Sequence, residues 1–476
     1  MQLPVDGEDN MRLPGFVLGQ DLASYMSQIR KVVFSKSEHQ RVTLVLGNPS
    51  CDLDSFICSF VMSYFYNARP NVTKHHETPI YVPVLNLPYI EKGDLWRQRP
   101  EFGVAVRSAV DGLKSQHSQD QSDEQKEKDR RREQSLLENL ITIHELVHSD
   151  DTIPSLRQVF QTSRRWQSQT SSHKQDLILV DHNVPAIETV TPEDTDRRFR
   201  VVGCVDHHVE ENYVPKNAEP RIVQLGIGSC MSLVAEHLRK LNLWIGNQGH
   251  RETKGFTQIA RLALTPILVD TWDLKAPGDR VSDLDRDQVR FLDTQTGTGF
   301  NREDLFQQVQ TAKDESLTLL SMREVFARDY KSYEEYTSNK EEFIVGIGST
   351  VKDLEWLAGH ADGKQQLVDE IVHYARAGPK KLELFGLLTR SGDRKEVCIF
   401  SFGERGNKAL DIFQQIAGEL KLRDWQEDDK LSQCFDETIS SKLDGAWKVW
   451  WMGDTTKSRK QVAPLLRDAL NQAFQG

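Results

Sequence analysis

Four short stretches carry carboxylates or imidazoles directly behind an apolar run. After VTLVL comes GNPSCDLDS, with Asp52 and Asp54 two apart; after LILV comes Asp181, in VDHN. After VVGCV comes Asp206-His207-His208, and after ALTPILV comes Asp270, in DTWDLK. An isolated Asp-x-Asp is ordinarily a turn former or a cap. In an open α/β sheet, however, ligands gather beyond the carboxyl ends of the strands, so the four stretches would converge on one crevice. Carboxylates with one or two imidazoles suit Mg²⁺ or Mn²⁺, where thiolates would favour zinc. Two such ions, about 3.5–4 Å apart, need a bridging carboxylate and can hold a hydroxide that attacks phosphorus directly, with no Ser or Cys nucleophile.

The elements that must position these residues alternate in type. Val42–Leu46, 80–85, 176–180 and 200–205 read as buried strands, and 55–66, 229–241 and 256–269 as helices. Such alternation predicts an α/β domain around a mostly parallel sheet. The stretch 115–134 (SQHSQDQSDEQKEKDRRREQ) has no apolar residue and reads as a mobile insertion or a solvated helix. Beyond residue 300 the texture changes to a charged helix over 302–336, strands at 342–348, 382–389, 396–402 and 446–452, and a closing helix at 460–474. That order predicts a smaller, separate α+β domain, with boundaries at 1–305 and 306–476 and the active site in the cleft between the two. GIGSC (226–230) opens a helix, so the backbone amides of Gly228 and Ser229 either cradle a phosphate or pack the helix start.

Composition narrows the classes. The 476 residues are 38% hydrophobic and 28% charged, ordinary globular material in which a core can be buried. Sixty basic against 71 acidic residues leave a net charge of −11, which argues against a nucleic-acid or anionic-membrane binder. Six cysteines without a CxxC pair fit neither a disulfide framework nor a zinc ribbon. No apolar run is long enough for a transmembrane helix, and MQLPVDGEDNMRLPG reads as neither signal nor transit peptide. The expectation is a reduced, cytoplasmic protein, with mitochondrial import as the alternative.

Taken together, GNPSCDLDS, LVDHN, CVDHH and GIGSCMSLV, in this order and at these intervals, resemble the signature motifs of the DHH phosphoesterase superfamily. RDYKSYEEY (328–336) and KSRKQVAPLL (457–466) are similar to the second type of DHH-associated domain, found in exopolyphosphatases, prune-type proteins and family II inorganic pyrophosphatases. The inserted first domain and the GN-x-x-C-D-x-D-S form resemble the fungal exopolyphosphatase branch. The resemblance implies two divalent cations, Mg²⁺ or Mn²⁺, with Asp52, Asp54, Asp181, His207 and Asp270 as ligands and Asp181 as the bridge. It implies that His208 contacts substrate phosphate and assists proton transfer to the leaving group, and that Asp206 orients His207. Asn48 stands where pyrophosphatases of the superfamily have a metal-binding His, a departure that favours Mg²⁺ and the exopolyphosphatase branch. Arg99, Lys331, Arg459 and Lys460 resemble phosphate contacts, with Asn48, Gly228 and Ser229 beside them.

The activity so implied is hydrolysis of terminal phosphate from linear inorganic polyphosphate by a metal-bound hydroxide, in a monomer with neither nucleic acid nor membrane as partner. The alternatives are an inorganic pyrophosphatase, or a prune-like protein that cleaves short chains or serves as an interaction module. A competing signal is His144-Glu145-Leu146-Val147-His148, which matches the HExxH pattern of zinc proteases. It is one pentapeptide against four clusters, and its histidines read as surface or half-buried side chains.

Overall fold

In the computed structural model the described residues are 15–35, 41–69, 79–113, 123–161, 174–245, 253–278, 280–336, 342–377, 381–392, 394–425 and 445–475. The chain divides into two compact units, Met1–Ala312 and Lys313–Gly476.

The first unit is built on five strands, β1 (Val42–Leu46), β2 (Ile80–Val84), β3 (Gln175–Val180), β4 (Phe199–Asp206) and β5 (Arg221–Val223), in the order β2-β1-β3-β4-β5. Every neighbouring pair is parallel. All five residues of β1 are buried, as expected of a strand covered on both faces, and this is why VTLVL does not alternate. The register sets Leu46 beside Leu179 and Leu179 beside Cys204, so β1, β3 and β4 end level. The residues that follow them emerge on one edge.

Helices Leu53–Asn67 and Cys230–Lys240 pack on this sheet and on one another, and Lys254–Asp270 packs against both of them. They match the expected stretches to within three residues at each end. Of the polar stretch 115–134, residues 115–122 lie outside the described residues. The remainder falls in helix Asp123–Leu137, which is exposed along most of its length and buries Leu136 and Leu137.

The second unit carries six strands, β6 (Tyr330–Tyr336), β7 (Glu342–Ser349), β8 (Leu384–Ser391), β9 (Arg394–Ser401), β10 (Leu422–Asp424) and β11 (Trp447–Met452), in the order β10-β11-β9-β8-β7-β6. Only β7 and β8 run parallel, so the sheet is mixed. The expected long helix over 302–336 is corrected here. It stops at Glu315, a short helix covers Met322–Ala327, and DYKSYEEY becomes an edge strand paired antiparallel to β7. Its tyrosines recur every three residues, which mimics helical spacing. Non-local pairing with β7 decides the outcome, as it often does for edge strands.

Candidate active site

The centre forms where β3 and β4 end. Asp181 follows β3 directly, is 2% exposed, and adopts a left-handed φ of 61°. A non-glycine residue in that conformation persists only when its surroundings hold it. Here its amide donates to Val205 O at 3.0 Å, and its Oδ2 accepts from Asn48 Nδ2 at 2.8 Å and Ser55 Oγ at 2.7 Å. Gly47 makes this possible, because a Cβ there would lie 2.5 Å from the Ser55 Cβ. The other carboxylate oxygen, Oδ1, faces His207 Nε2 at 3.2 Å and His208 Nδ1 at 3.7 Å. Burial opposes the charge on Asp181, yet the two histidines and Ser55 hold its carboxyl well below the usual range.

Both imidazoles are oriented from behind. His207 Nδ1 donates to Ile227 O at 2.9 Å, which aims Nε2 at Asp181. Asp206, fully buried, accepts from His208 Nδ1 at 2.8 Å and from the His207 backbone amide at 2.8 Å, and its other oxygen accepts from Asn183 Nδ2 at 2.6 Å. Asp206 therefore orients the ring of His208, and the carbonyl of Ile227 does this for His207, where the sequence had suggested Asp206. Among the described residues, Asp181, His207 and His208 form a group whose ligand atoms lie within 4.8 Å of one another. One deprotonated carboxylate with the His207 imidazole, anchored through Nδ1, is a donor pair that fits a divalent cation, and His208, anchored by Asp206, stands beside it.

Asp54 stands one layer deeper. Its Oδ2 accepts the Cys230 amide at 2.6 Å, and its Oδ1 accepts the Met231 amide at 3.0 Å and Ser229 Oγ at 3.0 Å, so this carboxylate caps the helix Cys230–Lys240. Burial first, then the charges of Asp181 and Asp52, push its carboxyl up to about 7, against the pull of His207. Such a carboxyl ionises fully once positive charge is added nearby, which again fits a cation. Asp52 is exposed and is the N-cap of helix Leu53–Asn67, accepting the Ser55 amide at 3.1 Å. Asp270 is half-buried at the last position of its helix, next to Thr271, which packs against Gly228. Of the five expected ligands, then, the structure gathers Asp181 and His207 with His208. Asp54 interacts with Asp181 and His207 through its charge, and Asp52 with Asp54.

The expected substrate contacts divide. Asn48 is buried within the loop: beside its bond to Asp181, its Oδ1 accepts from Ser50 Oγ at 2.6 Å and the Cys51 amide at 3.1 Å. Arg99 is 4% exposed and donates to Ser50 O and Gln98 O, both at 3.1 Å, a loop-holding arrangement. The phosphate cradle read into GIGSC is corrected. The amides of Gly228 and Ser229 donate to Asp285, at 2.9 and 3.4 Å, so a carboxylate already occupies the place of the anion. Asp285 also accepts from Ser232 Oγ at 2.6 Å and from Ser282 Oγ at 2.7 Å, and is fully buried. Its Ser-x-x-Asp capping box is visible in the sequence; its reach to the GIGSC loop is not.

In the second unit, Arg459 donates to Asp329 O at 2.7 Å and pairs with Asp329 Oδ1 at 2.7 Å. Lys331 lies half-buried on β6, and Lys460 is exposed at the start of the last helix. The HExxH stretch lies elsewhere in the first unit. Glu145 is held by Arg30 through two contacts, at 2.6 and 2.8 Å, which takes the group a zinc protease would use as base. Burial raises the thiols of Cys51 and Cys230 to about 12, so neither is a nucleophile at neutral pH.

Two family models match the chain, the DHH family N-terminal domain over residues 42–267 and the DHHA2 domain over 307–469. The chain belongs to the DHH superfamily, with a DHHA2 domain at its C-terminal end. Among its DHH relatives is a Schizosaccharomyces pombe protein described as "Putative exopolyphosphatase", 25% identical over 96% of this chain and 98% of its own length. The human protein "Exopolyphosphatase PRUNE1" is 24% identical over 92% of this chain and 77% of its own length. A Methanococcus jannaschii crystal structure described as "putative family II inorganic pyrophosphatase" aligns with a TM-score of 0.46 at 16% identity, over 91% of this chain and 99% of that one. Membership makes this DHH chain a phosphoesterase-type hydrolase.

Proposed function

We propose that this hydrolase is a metal-dependent exopolyphosphatase that releases orthophosphate from the end of linear inorganic polyphosphate. The observation that carries the reading is the joining of Asp181, His207 and His208 at the ends of β3 and β4, with all three side chains preset by hydrogen bonds. The relatives named as exopolyphosphatases support the choice of substrate. Asp181 and His207, with Asp52, Asp54 and Asp270, would hold two divalent cations, Mg²⁺ or Mn²⁺. Bound there, they would neutralise phosphate charge and lower the pKa of water.

The chain's own residues do the rest. Asp181 is fixed by Asn48 and Ser55, so its free oxygen keeps one direction. His208, held at Nδ1 by Asp206, has Nε2 left to hand a proton to the departing phosphate oxygen as the terminal anhydride P–O bond breaks and water supplies the new oxygen. Lys331, Arg459 and Lys460 are the proposed phosphate contacts of the DHHA2 domain, the guanidinium binding two oxygens and the lysines acting as point charges. No helix among the described residues is long and apolar enough to cross a membrane, and the proposed place of action is the cytoplasm. The test is orthophosphate release from long-chain polyphosphate before chelation, after chelation, and after Mg²⁺ or Mn²⁺ is restored. Release that stops and returns supports the reading; release indifferent to chelation contradicts it.

A further inference from the structure

Behind Asp270 the chain enters a conformation that side chains disfavour. Trp272, Asp273 and Leu274 take φ values of 52°, 54° and 63°, three left-handed residues in succession. The turn is well held. The Asp273 amide donates to Leu268 O at 2.7 Å, and the Leu274 amide donates to Thr271 Oγ1 at 3.1 Å. The Asp273 carboxylate, 4% exposed, is paired with Lys275 at 2.8 Å and Arg302 at 3.3 Å. One result is that the indole of Trp272 supports a guanidinium: Arg280 lies over its ring, 5.2 Å from the centroid.

Arg280 differs from the other arginines near the centre. Arg99 donates to two carbonyls, and Arg302 pairs with Asp273 and Asp293. Arg280 is exposed and has no carboxylate partner among the described residues. Its backbone also lies beside the GIGSC loop. A Cβ on Gly228 would fall 2.6 Å from Arg280 O, and the residue before Gly228 is Ile227, whose carbonyl orients His207. The Arg280 backbone therefore lies against the same loop whose Ile227 carbonyl orients His207. In a chain of net charge −11, a polyanion needs local positive charge to approach this centre.

We propose that Arg280 is a phosphate contact of this site, with Trp272 as the platform that holds its guanidinium ready. The inference rests on the exopolyphosphatase reading for its substrate, a chain of phosphates. Its chemistry is that of any phosphate group, since a guanidinium forks to two phosphate oxygens and a stacked one has less freedom to lose on binding. Trp272 acts through Arg280 and is a positioning residue.

The test uses the full chain and two readouts. In steady-state hydrolysis of polyphosphate, Arg280→Gln is expected to raise KM about tenfold, the loss of one charge-assisted contact, with kcat within about twofold. Arg280→Lys should recover part of this, and Trp272→Leu should raise KM by a smaller factor than Arg280→Gln. In parallel, binding of inorganic tripolyphosphate to the metal-free protein should weaken in Arg280→Gln by a similar factor and depend less steeply on salt. Unchanged tripolyphosphate binding in Arg280→Gln overturns the proposal, whatever the enzyme hydrolyses. Weakened binding in a protein that cleaves neither polyphosphate nor pyrophosphate keeps Arg280 as a phosphate contact and removes the exopolyphosphatase reading instead.

Discussion

His207 points Nε2 at Asp181 Oδ1 across 3.2 Å while its Nδ1 donates to the Ile227 carbonyl, so one imidazole links the end of β3 to the GIGSC loop. Removing either side chain takes away a charged or coordinating group without opening the sheet beneath it. Asp181→Ala and His207→Ala should each lower hydrolysis by about 10²–10³-fold, the range for losing a preorganised electrostatic group. Circular dichroism should match the parent in both. Retained activity at saturating Mg²⁺ in either variant contradicts the assignment.

Asp285 predicts a different signature. It satisfies the amides of Gly228 and Ser229 together with the hydroxyls of Ser232 and Ser282 in a fully buried position. Asp285→Ala leaves several buried donors unpaired and should destabilise the first unit by about 2–4 kcal/mol. Denaturant unfolding checks this; a shift under about 0.5 kcal/mol would mean that water replaces the carboxylate.

Arg459, with its side chain 16% exposed, makes both of its described contacts with Asp329, whose side chain is 43% exposed, so the pair is worth on the order of 1 kcal/mol. Arg459→Gln should lower stability by about that much and raise KM for polyphosphate by about tenfold. A loss confined to kcat would contradict a binding role for Arg459.

His237 gives a pH dependence remote from the metal site. Burial, then the charges of Arg69 and Lys240, lower its pKa to about 4, and its Nε2 lies 2.7 Å from the Tyr66 hydroxyl. The unfolded chain binds a proton near the ordinary histidine value of about 6.5 while the folded chain resists it, so stability is complete above that value and falls as pH drops toward 4. Urea midpoints measured from pH 7 to pH 4.5 should decline, and His237→Gln should flatten part of that decline. An identical slope in the variant would show that His237 binds its proton equally in the folded and unfolded chains, and would contradict the lowered pKa.

Four of the five strands of the first unit were legible because they are short apolar runs, while β5 is three partly exposed residues with no such pattern; the candidate site was legible because carboxylates and histidines follow those runs. What escaped was decided by contacts distant in sequence. Tyr330, Tyr333 and Tyr336 repeat like a helix face, and only β7 makes them a strand. Gly228 and Ser229 look like an anion cradle, and only the fold shows that Asp285, more than fifty residues on, supplies the anion. Asp52 and Asp54 stand two apart in sequence, and only the fold shows that the first is also an exposed cap and the second also lies under the start of another helix.

The most direct test of the central claim is the fate of the chains themselves. Long-chain polyphosphate and pyrophosphate are incubated side by side with the protein and Mg²⁺, and orthophosphate release is followed while the residual chains are resolved on a gel. Steady release from polyphosphate, with the chains shortening gradually and pyrophosphate barely touched, is the predicted result. Rapid turnover of pyrophosphate alone, or no release from either substrate, would contradict it.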